Sequence, residues 1–302
     1  MYEVVWTRRL SLTLGHTVLA VSSVVSIFML GLGVGGYLGG RLADRRPLSR
    51  LLKDYAWFEL LIAVWGALSP FFLGLFEDLY LRLAASGYQG FELYLCGFLG
   101  ASTVLLVPTM AMGATLPFLC RLVVQEYRQF GAELGRLYGF NTLGGCFGSA
   151  AAGFFLLPGL GLNLTVVVAV VVNVLIAAMA YRMTYPVTSS ISPSEKGSSV
   201  AVNRGQLVVA CLAAAAAMAC QVGWTRGLIL SLGSSTYAFA AILTFFLVGL
   251  GLGSLSYRFF IGEASVMKMG WLQFWIGVSV MVSIALLGAM PYLVFHLSNY
   301  VY

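Results

Sequence analysis

Charge is what this sequence lacks. Only 9% of its 302 residues are Asp, Glu, Lys or Arg and 60% are hydrophobic, whereas an ordinary soluble domain carries about a quarter charged residues. With a mean hydropathy of +0.92, a water-soluble fold is excluded. Histidine is nearly missing too. His16 and His296 stand alone, with no acid or second histidine spaced to share a metal with either, so no metal site is read. The five cysteines, Cys96, Cys120, Cys146, Cys211 and Cys220, sit singly in apolar runs. Without a C-x-x-C pair they support neither dithiol chemistry nor a thiolate cluster, and they read as small packing residues. Segments of about ten residues with alternating polarity are also missing, which excludes a transmembrane β-barrel. Glu3, Arg8 and Arg9 precede the first long apolar run and no A-x-A site follows it, so no cleavable signal peptide is expected.

What is present is a succession of apolar runs of about 20 residues, the length of a membrane-crossing helix. In lipid each run must close its own backbone hydrogen bonds, so helices are expected throughout. Spans are predicted at Val18 to Leu42, Trp57 to Phe76, Leu93 to Leu119, Phe140 to Leu157, Leu164 to Tyr181, Leu207 to Leu232, Tyr237 to Phe260 and Trp271 to Val294, with a short stub at Tyr2 to Leu14. The expected fold class is all-α, a polytopic membrane helix bundle of about nine spans whose first partner is the lipid bilayer. The net charge of +6 is dispersed among short loops instead of forming one patch, so no nucleic-acid partner is expected. Arg41, Arg45, Arg46, Arg50 and Lys53 mark one loop, and Arg121, Arg128 and Arg136 mark the next loop but one. Arg182, Lys196 and Arg204 follow, then Arg258 and Lys268. Every second loop is basic, which places those loops in the cytoplasm and the chain in an inner membrane.

Pro186 to Arg204 is Ser-rich and carries Pro193, Glu195 and Lys196, the composition of a flexible linker. It divides residues 1–185 from residues 205–302, and the two parts are related. Trp6-Thr7-Arg8 recurs as Trp224-Thr225-Arg226. The same shift of 218 residues aligns Leu10 with Leu228, Phe28 with Phe246, and glycines 31, 33 and 35 with 249, 251 and 253. About six spans separate the copies, an even number, so the repeat is expected to be parallel. By this register the first helix lacks its opening turns and the second copy stops after three spans, so the bundle is expected to be incomplete at both ends.

Gly31-Leu32-Gly33-Val34-Gly35-Gly36 matches G-x-G-x-x-G, a pyrophosphate cradle in a soluble βαβ unit. Inside an apolar helix, Gly31, Gly35 and Gly39 instead fall on one face and favour close helix packing. At the end of that span Asp44 and Arg45 are candidates for a conformational loop, alongside the plainer reading of a positive-inside anchor. Glu3 and Arg8, with Gln221 and Arg226 at the equivalent positions of the repeat, are cavity candidates. An ionisable group at membrane depth costs about 2.5–3.5 kcal/mol and normally faces a partner or a wet cavity. Snorkelling of the two arginines to the outer headgroups is the alternative.

Four ordered motifs carry a family resemblance: Tyr2-Glu3-Val4-Val5-Trp6-Thr7-Arg8, Gly39-Gly40-Arg41-Leu42-Ala43-Asp44-Arg45, Met112-Gly113-Ala114-Thr115-Leu116-Pro117 and Leu137-Tyr138-Gly139-Phe140-Asn141-Thr142-Leu143-Gly144. Together they resemble the membrane portion of bacterial fused proteins in which a major-facilitator-like helical region precedes a spermidine-synthase-like domain. The Gly40 to Arg46 segment also resembles the loop between helices two and three of major facilitator transporters, with Pro47 where those usually carry Gly. The resemblance implies a major-facilitator-like bundle that handles a small polar solute or anchors a soluble synthase-like domain. It leaves open a membrane component of a polyamine aminopropyltransferase and a non-transporting scaffold. The catalytic glycine-rich loop and substrate aspartates of the synthase part have no counterpart here, so no catalytic residue and no cofactor are assigned, and enzymatic activity stays an open question.

Overall fold

The structure is a computed structural model that describes residues 1–15, 18–123, 130–183, 204–232, 236–260 and 266–301. Among these the chain forms α1 (Tyr2–Leu14), α2 (Val18–Arg45), α3 (Leu48–Ala85), α4 (Gly90–Val123), α5 (Phe130–Ala150), a π-helical turn (Ala151–Leu156), α6 (Leu157–Arg182), α7 (Arg204–Leu232), α8 (Thr236–Phe260) and α9 (Val266–Val301). No strand forms among the described residues. Seven helical stretches are long and apolar enough to cross a membrane. α1, at 13 residues, is too short to cross alone. The predicted linker and His16 lie outside the described residues, except that Arg204 opens α7.

The expected spans at Phe140 to Leu157 and Leu164 to Tyr181 fall in one 50-residue helical run, Glu133–Arg182. At about 1.5 Å per residue such a run exceeds any hydrocarbon core. It is broken at Gly161, whose φ of 77 and ψ of −178 only glycine adopts without strain.

Contacts fix the helix directions. Tyr2 lies on Gly66 and Trp6 on Ser69, so α1 runs with α3. Phe58 meets Phe118 while Phe76 meets Gly100, so α4 runs against α3. Glu59 meets Asn173 and Lys53 meets Tyr181, so α6 also runs against α3. Met1 lies beside Gly148 and Val4 near Gly153, so α5 runs with α1 and the chain reverses at Gly161, early in α6. The ends carrying Arg45, Arg50, Arg121, Arg136 and Arg182 therefore share one side of the bundle, as the alternation of basic loops requires.

The main core gathers Trp6 and Leu10 of α1, Ile27 and Phe28 of α2, Ile62 and Leu73 of α3, Leu105 of α4 and Val166 of α6. Prolines within these helices free carbonyls, and polar side chains take them up. Pro108 lacks the N–H that would bond the Val104 carbonyl, and Trp65 Nε1 donates to that oxygen at 2.8 Å. Pro70 likewise frees the Gly66 carbonyl, to which Ser69 Oγ donates at 2.7 Å. In a membrane such substitutions make a proline affordable.

Candidate functional site: buried polar groups in the bundle

In an apolar bundle every buried polar atom requires an account, because each unsatisfied one costs about 1–3 kcal/mol. α1 enters the interior with Trp6 donating from Nε1 to Ser69 Oγ at 3.0 Å and Tyr2 stacked on Trp6 at 5.1 Å. Glu3 and Thr7 lie one helical turn apart on the same helix. Glu3 Oε1 and Thr7 Oγ1 are buried without a hydrogen-bond partner. On α7, Gln221 is 1% exposed and its Oε1 is buried without a partner as well. Gln221 follows Met218 by one turn, and Met218 packs on the same apolar cluster as Val4. With the Tyr2 hydroxyl, which is also buried without a partner, four orphaned oxygens sit on α1 and α7, and two of them, on Glu3 and Gln221, are at positions 218 residues apart.

Of the remaining cavity candidates, Arg8 is half-buried and Arg226 is exposed on α7. The neighbouring Arg9, not Arg8, carries an ion pair, to Glu77 at 3.9 Å.

At the basic end, Asp44 and Arg45 are both exposed. The polar contacts fall one residue later. Arg46 Nε pairs with Asp54 Oδ2 at 3.2 Å, and Arg121 at the end of α4 donates to the Arg46 carbonyl at 2.7 Å. Together they tie the α2–α3 connection to α4. The spacing of 46 and 54 hides this pair in the sequence, since it closes across a turn set by Pro47, whose φ of −67 and ψ of 145 start α3.

Gly31, Gly35 and Gly39 line the side of α2 that meets α4. A methyl group at Gly31 would strike Thr109, one at Gly35 the Met110 carbonyl, and one at Gly39 would come within 2.6 Å of Ala114 Cα. Gly33, on the other side of α2, has nothing within 4 Å.

The residue that sequence reasoning passed over is Glu59. It is 7% exposed, its Oε2 accepts from Asn173 Nδ2 of α6 at 2.7 Å, and the Tyr55 hydroxyl one turn back also bonds it. Among the described residues no group of three or more potential ligands gathers to hold a metal.

These features define an all-helical chain with membrane-length apolar helices and a sparse set of interior polar groups. Set against known proteins, it is similar to Polyamine aminopropyltransferase 2 and Polyamine aminopropyltransferase 1 of Ralstonia nicotianae, 26% identical to each over 164 residues. The match covers 54% of this chain but only 29% and 28% of the two relatives. No family profile matches the chain. No solved structure matches it either.

Proposed function

We propose that the chain is the membrane region of a polyamine-aminopropyltransferase-like protein of a bacterial cytoplasmic membrane. In this reading a major-facilitator-like bundle receives a small cationic amine between α1 and α7. The carrying observation is the trio of buried, unpartnered oxygens on Glu3, Thr7 and Gln221. Carboxylate and amide oxygens accept only, while an ammonium group only donates. The names of the relatives point to the same ligand chemistry. Spermidine binding to the purified chain in nanodiscs tests this. Glu3→Gln removes one charge-assisted hydrogen bond, worth about 1.5–3 kcal/mol, so affinity is expected to fall tenfold or more. Equal binding by wild type and variant would end the proposal.

Matching contacts on the two sides support the reading of a parallel repeat and a two-halved bundle. Trp6 Nε1 donates to Ser69 Oγ at 3.0 Å, and its counterpart Trp224 Nε1 donates to Ser283 Oγ at 2.9 Å. Both serines also donate to a carbonyl three residues back at 2.7 Å, those of Gly66 and Val280. Ser69 and Ser283 are 214 residues apart, four short of the shift that relates the tryptophans, and the same offset pairs Trp57 with Trp271 and Glu59 with Gln273. The glycine faces are complementary. On α2, Gly31 and Gly35 seat α4 while Gly33 is bare. On α8 the equivalents Gly249 and Gly253 are bare, while Gly251 packs on Gly139 and Leu143 of α5. A further pair of helices like α4 and α5 would cover both bare faces and seal the apolar cavity of about 330 Å³ lined by Trp224, Leu228, Phe246 and Leu287. Their first-half equivalents Trp6, Leu10, Phe28 and Leu73 are sealed by α4 residues such as Ala101 and Leu105.

A second reading, anchorage of a soluble synthase-like domain, is favoured by the extent of the relatives, more than two thirds of whose length lies outside the match. Expressing the chain with and without the synthase-like domain and fractionating the domain's activity between membrane and cytosol separates the two readings.

A further inference from the structure

Glu59 lies where α3 meets α6, about 16 Å along α3 from Leu48 at 1.5 Å per residue. Both hydrogen-bond partners of its carboxylate are donors: Asn173 Nδ2 from α6 at 2.7 Å and the Tyr55 hydroxyl from its own helix. On the α1 side of the same core the Tyr2 hydroxyl is buried without a partner. On the α4 side, Phe118 packs against Phe58 and joins Leu122 in a cluster with Leu51. No basic side chain among the described residues pairs with Glu59. Arg46 is held by Asp54 at 3.2 Å, and Lys53 lies over the Tyr181 ring at 5.8 Å. Donors suit an ionised carboxylate, whereas a metal cation needs acceptors.

Position 59 does not need an acid in order to build the helix, because its counterpart in the repeat is Gln273. An ionisable side chain kept at membrane depth without a counter-ion is expensive, and that cost marks function. We infer that Glu59 is a proton-binding site that sets how tightly α6 is held to α3. Ionised, the carboxylate accepts from Asn173 and Tyr55 together. On taking a proton from water the carboxylic acid loses its charge and gains an O–H that faces two donors, so the bonds from Asn173 and Tyr55 are no longer charge-assisted and the α3–α6 tie weakens. The proton returns to water when the tie re-forms, and no other bond changes. This inference is independent of the amine reading.

The test combines two measurements on the purified chain in lipid. Infrared difference spectra across a pH series follow the carbonyl stretch of a protonated carboxyl, and spin labels on Arg50→Cys and Met183→Cys, both exposed positions, report the distance between the basic ends of α3 and α6. We expect one titrating carboxyl band that disappears in Glu59→Gln, with a label distance that changes over the same pH interval and becomes pH-independent in that variant. Asn173→Leu, which keeps the acid but removes a donor to its ionised form, should retain the band and move its titration to higher pH. Tyr55→Phe should do the same, which covers the case in which Asn173→Leu fails to fold. Absence of a band sensitive to Glu59→Gln at any pH, or a titrating band with an unchanging label distance, would overturn the inference.

Discussion

Adding a methyl group at Gly39 is the sharpest test of how α2 and α4 are held. A Cβ there would lie 2.6 Å from Ala114 Cα and 2.8 Å from Ala114 Cβ, against about 3.5–4.0 Å for a normal carbon contact. Backbone atoms cannot rotate out of the way, so the two helices must part locally by about 1 Å. A gap of that size forfeits a quarter to a half of each affected dispersion contact, and overpacking of this kind costs about 1–3 kcal/mol. Gly33→Ala on the same helix is the control. Nothing lies within 4 Å of it, so it should be neutral or gain about 0.5–1 kcal/mol from the lost freedom of glycine. Unfolding by SDS in mixed micelles, followed by tryptophan fluorescence, measures both. Gly39→Ala as stable as Gly33→Ala would refute the close α2–α4 packing.

Ser69→Ala should cost about 1–3 kcal/mol by stranding the buried Trp6 N–H. Ser283→Ala should cost less, because Trp224 is only half-buried, and the same SDS titration compares them. Asp54→Asn removes the partner of Arg46 and should raise the protease sensitivity of the α2–α3 connection, as should Arg121→Ala, which frees the Arg46 carbonyl. Single cysteines at Arg45 and Gly87, at opposite ends of the first helices, should react with an impermeant maleimide from opposite sides of the membrane. Labelling of both from one side would contradict the alternating helix directions.

Helices were legible in the sequence because apolar runs of membrane length leave the backbone no alternative. The reversal early in α6 was legible as two hydropathy maxima but not as its mechanism, since the chain stays helical to Gly161 and turns there through a positive φ. The extension of α3 back to Leu48 was missed because Arg50, Lys53 and Asp54 depress hydropathy at a basic end. Within the candidate site, Glu3 and Gln221 were singled out by the 218-residue spacing of the matching Trp-Thr-Arg segments. Glu59 was not, because its partner Asn173 is 114 residues away, and an isolated acid beside Trp57 and Phe58 resembles the flank of a span. Pro108 gave no sequence sign that Trp65 would satisfy the carbonyl it frees, since that bond crosses from one helix to another.

The central claim, an amine held by oxygens of α1 and α7, is tested most directly by solid-state NMR on the chain in lipid with a 15N-labelled amine and 13C-labelled glutamate. The account predicts a dipolar contact between the ammonium nitrogen and one glutamate carboxyl that vanishes in Glu3→Gln. A bound amine whose only carboxyl contact survives that substitution, or no bound amine at all, would contradict it.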